Sequence, residues 1–154
     1  DNFAYKIASA IIRAREYKAI ESTLELARII EESIPMKFRW LKGHPAKRTF
    51  QAIRIEVNEE LNGLYEGIIK LFQRINKGGR MCIISFHSLE DRIVKYAFRY
   101  LETDCICDRK APVCTCGKIK EGQILTKKPI VPSESELEIN SRAASAKLRV
   151  INKL

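Results

Sequence analysis

The hydrophobic period of this chain changes abruptly at residue 80, and that change limits the folds open to it. Upstream, Phe50, Ile53, Val57, Leu61, Leu64, Ile68, Leu71 and Ile75 step by three or four residues, the spacing that gathers apolar side chains on one helical face. Gly78-Gly79 then supplies a left-handed stop, so one long helix is predicted over residues 46–77. Residues 80–86, from Arg80 to Phe86, are a short apolar run without helical period and read as a buried strand. Ser88, with Asp91 three residues on, is a helix-start signal, and Leu89, Ile93, Ala97, Tyr100 and Leu101 make an amphipathic face over residues 89–101. A strand apolar on both faces, set between helices, predicts an α/β fold with a parallel sheet covered by helices. Ligands collect at the carboxyl ends of such strands, where Ser85-Phe86-His87-Ser88 falls.

The flanking segments fill in the α/β pattern. Phe3, Ile7, Ala10, Ile11 and Ala14 recur at helical spacing, and Ser22 with Glu25 forms a capping-box signature before a second helix that ends at Pro35. Past residue 102 the chain offers a Cys-rich loop at 105–117, a predicted strand at 123–131 and a short helix capped by Ser133 with Glu136. In the last ten residues Ala146, Leu148 and Val150 alternate with Lys147 and Arg149, which reads as a half-buried strand able to pair antiparallel with 123–131. At 154 residues and 17.7 kDa the chain is long enough for a real core. No stretch approaches the ~18 apolar residues of a membrane span, and the N-terminal segment lacks the order of a signal peptide, so a cytoplasmic protein with no membrane partner is expected.

The formal charge of +9 favours a polyanionic partner, nucleic acid first. Residues 36–54 hold six basic residues and no acidic one, interleaved with Phe38, Trp40, His44 and Phe50, a mixture suited to phosphates and unstacked bases and equally to a solvated helix connection. His44 before Pro45 marks a turn. His87 between Ser85 and Ser88 suggests hydrogen bonding at the strand end; a serine hydrolase is disfavoured because no G-x-S-x-G elbow is present. Glu90 reads as a surface residue favoured by the helix dipole, and Asp91 as a cap. Cys105, Cys107, Cys114 and Cys116 lie within twelve residues and can close a structural zinc site, although their pairs are tighter than the usual C-x2-C; reduced surface thiols and adventitious disulfides are the competing readings. Cys82, inside the predicted strand, reads as a small buried hydrophobe.

Three blocks carry a resemblance. HPAKRTFQAIRIEVNEEL at 44–61, INKGGRMCIISFHSLEDRIVK at 75–95 and KPIVPSESELEINSRAASAKLR at 128–149 are similar, in order, to the signature blocks of the RsmH (MraW) family. That family transfers a methyl group from S-adenosylmethionine to the exocyclic N4 of a cytidine in 16S rRNA of the small ribosomal subunit. The resemblance implies the C-terminal part of a class I (Rossmann-like) methyltransferase sheet, with 80–86 as its fifth strand and the late strands as its terminal hairpin. It implies a partial inserted helical subdomain at 1–44 and the C-terminal half of the methyltransferase domain at 45–154. The family's cofactor loop then lies upstream of residue 1, so the chain alone is expected to be inactive, with no cofactor-binding residue of its own, and prone to self-association.

By the same resemblance the RNA surface falls to Lys47, Arg48, Arg54, Ser85, His87, Ser88, Arg92, Arg142 and Lys147, with Trp40 as a stacking residue and Asn58 bracing the strand-end loop; the catalytic base is unassigned. Ser141 to Ser145 depart from the family's usual Pro-Arg-Ser-Arg-Ser, and Ala144 removes one arginine. The four-Cys loop occurs in only some relatives. A non-catalytic RNA-binding module built round a zinc knuckle is the alternative that charge and cysteines also allow.

Overall fold

The computed structural model describes residues 3–39, 43–108 and 113–154. The chain divides into two compact units, Asp1–Glu60 and Leu61–Leu154.

In the first unit, α1 (Ala4–Tyr17) and α2 (Thr23–Ser33) pack together, a 3-10 turn follows at Met36–Phe38, and α3 (Lys47–Val57) closes the unit. Ser22 Oγ accepts the Glu25 amide at 3.1 Å, as the sequence predicts, while Glu25 Oε2 accepts the amide of Glu21, one residue before the cap, at 3.2 Å. Ile7, Ile30, Ile34 and Ala46 are buried together, with Phe3, Ile11, Leu26, Ala27 and Phe50 packed round them.

The second unit sets α4 (Leu64–Arg74) and α5 (Ser88–Glu102) against a sheet of β1 (Arg80–Ser85), β2 (Gly122–Ile124) and β3 (Lys147–Lys153). Its core is Ile68, Phe72, Val94, Ala97, Phe98, Leu101 and Ile151. Phe72 is fully buried at its centre, so Phe72→Ala should destabilise this unit by about 3–5 kcal/mol. Urea denaturation checks this; a loss under ~1 kcal/mol would mean that the site collapses around the truncation.

Four expectations are corrected. The single helix over 46–77 is two helices, because the chain leaves helical geometry at Glu59 (φ 51°) and Gly63 (φ 69°) while the apolar spacing runs on through the turn. The sheet is antiparallel in the order β1-β3-β2, with Ser85 opposite Lys147 and Arg80 opposite Asn152. The strand at 123–131 shrinks to Gly122–Ile124. Beyond it the Thr126 hydroxyl, in place of a carbonyl, accepts the Val150 amide at 2.8 Å, and pairing resumes only as a single bridge of Ile130 to Leu148. The remaining strand prediction, at the C-terminus, is right in place and reversed in face.

On β3 the charged residues face inward. Arg149 is 7% exposed and Ile151 fully buried, whereas Leu148 and Val150 are half-buried on the opposite face. Partners on the helices account for this: Arg149 meets Asp91 of α5, and Lys153 Nζ donates to the Phe72 and Gln73 carbonyls at 3.0 and 2.9 Å, in the last turn of α4. Cys82, paired with Val150, shares the outer face and is exposed rather than buried.

Candidate functional site

Beyond the buried Ser85, the turn at Phe86 and His87 leads directly into α5. His87 is the cap: its Nδ1 accepts the Glu90 amide at 3.3 Å, and Glu90 Oε2 accepts the amides of Phe86 and His87 at 2.9 and 3.3 Å. This reciprocal capping box replaces the expected Ser88–Asp91 start, because an imidazole nitrogen without a proton is a good acceptor one residue earlier. With Nδ1 accepting, the neutral ring carries its hydrogen on Nε2. That atom is buried 3.3 Å from Glu90 Oε1, without hydrogen-bond geometry to any partner among the described residues.

Freed from capping, Asp91 turns to β3. Arg149 donates to it through Nε at 2.6 Å and NH2 at 3.1 Å, and Lys147 Nζ lies 3.8 Å away. The Arg149 hydrogen bonds hold the Asp91 carboxyl below its ordinary pKa of 3.8, against the opposing effect of burial. A buried bidentate pair thus fastens the start of α5 to β3.

The structure brings Ser85, His87, Ser88 and Lys147 to one end of the sheet, with Ser85 buried and Ser88 exposed. Arg92 is exposed one turn further along α5, and Arg142 is exposed in the 3-10 turn Ser141–Ser145, before β3. In the first unit Lys47 and Arg48 are exposed on the first turn of α3. Arg54 instead makes a bidentate pair with Glu60 at 2.8 and 3.0 Å, and Asn58 donates to the same carboxylate at 3.1 Å, bracing that turn. His44 ties its turn together, with Nδ1 accepting the Ala46 amide at 3.2 Å and Nε2 lying 3.1 Å from Glu31 of α2. Trp40 lies outside the described residues.

The four cysteines converge. Cys105–Cys114 and Cys114–Cys116 sulfur separations are 3.5 Å, Cys107–Cys114 and Cys105–Cys116 are 3.9 Å, and all four sulfurs lie within 4.8 Å of one another. The Ile106 amide, donating from 3.5 Å, and then the Lys118 amide lower the Cys116 thiol to about 6. The Thr115 amide likewise lowers Cys107. At Cys105 the Cys107 amide favours the thiolate, but the Cys114 sulfur, burial and the other two sulfurs outweigh it, leaving that thiol pushed up to about 12.

Sequence reasoning missed two members of the strand-end site. Arg149 was hidden because a charged residue in an alternating strand is conventionally assigned to solvent, and Glu90 because acidic residues are common in any first helical turn. Asp91, six residues past the strand, carried the only available signal: a carboxylate left over once the cap has been assigned.

These features define a basic, mixed α/β chain with a small antiparallel sheet, a side-chain-locked strand-to-helix turn and a four-thiol cluster. The chain belongs to the MraW methylase family, whose model matches residues 1–154. It is 54% identical over all 154 residues to "Ribosomal RNA small subunit methyltransferase H" of Clostridioides difficile (strain 630), covering 50% of that protein. It is 53% identical over 154 residues to the protein of the same name from Lachnospira eligens, covering 49% of it. A Clostridium botulinum (strain Hall) protein, also so named, is 56% identical over 152 residues, 99% of this chain and 49% of that one. The chain therefore spans about half the length of the curated relatives it matches. Among the described residues no helix is long and apolar enough to cross a membrane.

Proposed function

We propose that residues 1–154 form the C-terminal part of a methyltransferase acting on the exocyclic N4 of a cytidine in 16S rRNA of the small ribosomal subunit, in the cytoplasm, with S-adenosylmethionine as methyl donor. The observation carrying this reading is the family match over the whole chain, together with relatives above 50% identity that bear an rRNA methyltransferase name. The non-catalytic zinc-knuckle module is not favoured by those names.

On this reading 1–44 is the partial inserted helical subdomain and 45–154 the C-terminal half of a class I sheet. Two features support the latter assignment. Among the described residues β1 has β3 on one edge and no strand on the other. The sheet face turned away from α4 and α5 leaves Ile84 58% exposed, and Phe86 beyond it is 57% exposed, a surface that further strands and helices would cover.

The N4 lone pair of cytosine is conjugated into its ring, so transfer needs the base unstacked, its amine oriented and its departing proton accepted. Lys47, Arg48, Arg92 and Arg142, all exposed, suit RNA phosphates. Ser85, His87, Ser88 and Lys147 shape the strand end, Ser85 from a buried and His87 from a half-buried position. The described residues do not fit the methyl donor: the turn after β1 has no glycine, and its Phe86 and His87 amides are taken by Glu90. No residue of this chain is assigned to the donor.

A chimaera in which residues 1–154 replace the aligned half of the Clostridioides difficile relative tests the proposal. Incubated with undermodified small subunits and labelled S-adenosylmethionine, it should form N4-methylcytidine at one position, read by mass spectrometry of rRNA digests. Label on another base, or none from a chimaera that binds the donor normally, would refute it.

A further inference from the structure

We propose that Cys105, Cys107, Cys114 and Cys116 bind one zinc(II) ion in a closed four-thiolate site that fastens the segment between α5 and β2. The inference is independent of the methyltransferase reading and rests on the sulfur geometry. Zinc–sulfur bonds of about 2.3 Å in a regular tetrahedron place the sulfurs about 3.8 Å apart. Four of the six separations here are 3.5, 3.5, 3.9 and 3.9 Å, bracketing that edge, and all six lie within 4.8 Å. A disulfide needs about 2.05 Å between one pair of sulfurs, and these four are mutually spaced with none paired off.

The backbone is arranged for thiolates as well. The amide of Ile106 donates to Cys116 at 3.5 Å, and Gly117, in the left-handed region at φ 61°, turns the chain so that the Lys118 amide also points at the Cys116 sulfur. Such donors offset part of the negative charge that four thiolates place on one ion.

The roots of the segment are already fixed: the Glu121 amide donates to the Leu101 carbonyl at 2.9 Å, the Ile124 amide to Glu102 Oε1 at 2.8 Å, and Lys118 pairs with Glu121 at 2.6 Å. Between those roots the cysteines are exposed or half-exposed, and the sulfur cluster links Cys105 and Cys107 to Cys114 and Cys116 across the segment. Zinc suits a solvent-facing site because it has no redox chemistry of its own, and four thiolates leave no open position for a substrate, so the site is structural.

Zinc titrated into the reduced, metal-free chain should bind at about one per chain, and cobalt(II) at the same site should show the thiolate charge-transfer and tetrahedral ligand-field bands of a four-sulfur site. Replacing any one of the four by serine should remove the zinc retained through desalting, whereas Cys82→Ser should keep it. Chelation should speed proteolysis within residues 104–118 and zinc should restore protection, a readout on the unsubstituted chain that needs no variant to fold. No stoichiometric zinc under reducing, zinc-replete conditions would overturn the proposal, as would equal retention by the four-serine variant or iron in place of zinc.

Discussion

Replacing Asp91 with Asn should cost the second unit about 2–4 kcal/mol, because it leaves the Arg149 guanidinium inside the fold without its counter-charge. Removing one partner of a fully buried pair costs about 3–5 kcal/mol. Here Asp91 and Arg149 side chains are 13% and 9% exposed, which moves the expectation slightly down, and Lys147 at 3.8 Å, 37% exposed, stays solvated and adds little. Substituting both partners, as in D91N/R149M, should recover much of the loss, since an uncharged pair needs no compensation. The pH dependence follows from the depressed Asp91 carboxyl. A carboxyl whose folded pKa lies below its unfolded value stabilises the fold above the unfolded value, and that contribution is lost as pH falls through the folded one. The gap between wild type and D91N in urea midpoints should therefore be constant from neutral pH down to about 5 and close progressively below about 4. A gap that persists unchanged in acid would mean that packing, and not the ion pair, carries the effect.

What the sequence made legible, and what it hid, divides along a physical line. Elements specified by neighbouring residues were readable: the capped starts at Ser22 and Ser133, the strand bounded by Gly78-Gly79, and the amphipathic α5 all depend on contacts within a few positions. Elements whose sense depends on distant partners were not. Leu148 and Val150 alternate with Lys147 and Arg149 whichever face is covered; distant partners decide that the charged face turns inward, Asp91 for Arg149 and the end of α4 for Lys153, with Ile151 in the core between them. The helix break at 58–63 escaped because Val57, Leu61 and Leu64 keep helical spacing across it. Val57, 74% exposed, contributes to no core, so its hydrophobicity signalled a continuity that packing does not use.

The candidate site follows the same division. The four cysteines were legible as a candidate site because they lie within twelve residues of one another, and the structure brings their sulfurs together. Arg54 looked like Arg48 as a cation in a basic stretch, yet Glu60, beyond the end of α3, occupies it. This difference gives a graded test on RNA: Arg48→Ala should lower the slope of log affinity against log salt by about 0.7–0.9, one phosphate's worth of released counterions, while Arg54→Ala should lower it by less. Equal slopes for the two variants would mean that RNA draws Arg54 away from Glu60. Binding titrations against a single-stranded rRNA fragment at several salt concentrations supply the measurement.

Residues 1–154 alone should bind rRNA in a salt-dependent way and transfer no methyl group to it, while the chimaera does both. Phosphate contacts need only exposed cations, which both units carry at Lys47, Arg48, Arg92 and Arg142. Methyl transfer needs the donor held in line with the cytosine amine, and such positioning supplies about 7–11 kcal/mol of a catalysed barrier. At about 1.4 kcal/mol per tenfold, losing even the lower figure slows transfer by about five orders of magnitude, below detection in an ordinary label assay. On the proposed reading the groups that orient the donor belong to the half of the relatives that this chain does not span. The strand-end turn offers no substitute, since Glu90 already holds its amides. The edge of β1 that carries no strand among the described residues, with exposed Ile84 and Phe86 beside it, should also drive self-association, seen as a concentration-dependent mass in sedimentation. Calorimetry with S-adenosylmethionine separates the possibilities: micromolar binding by residues 1–154, or stoichiometric methyl transfer by them, would show that the donor site is built from this chain after all.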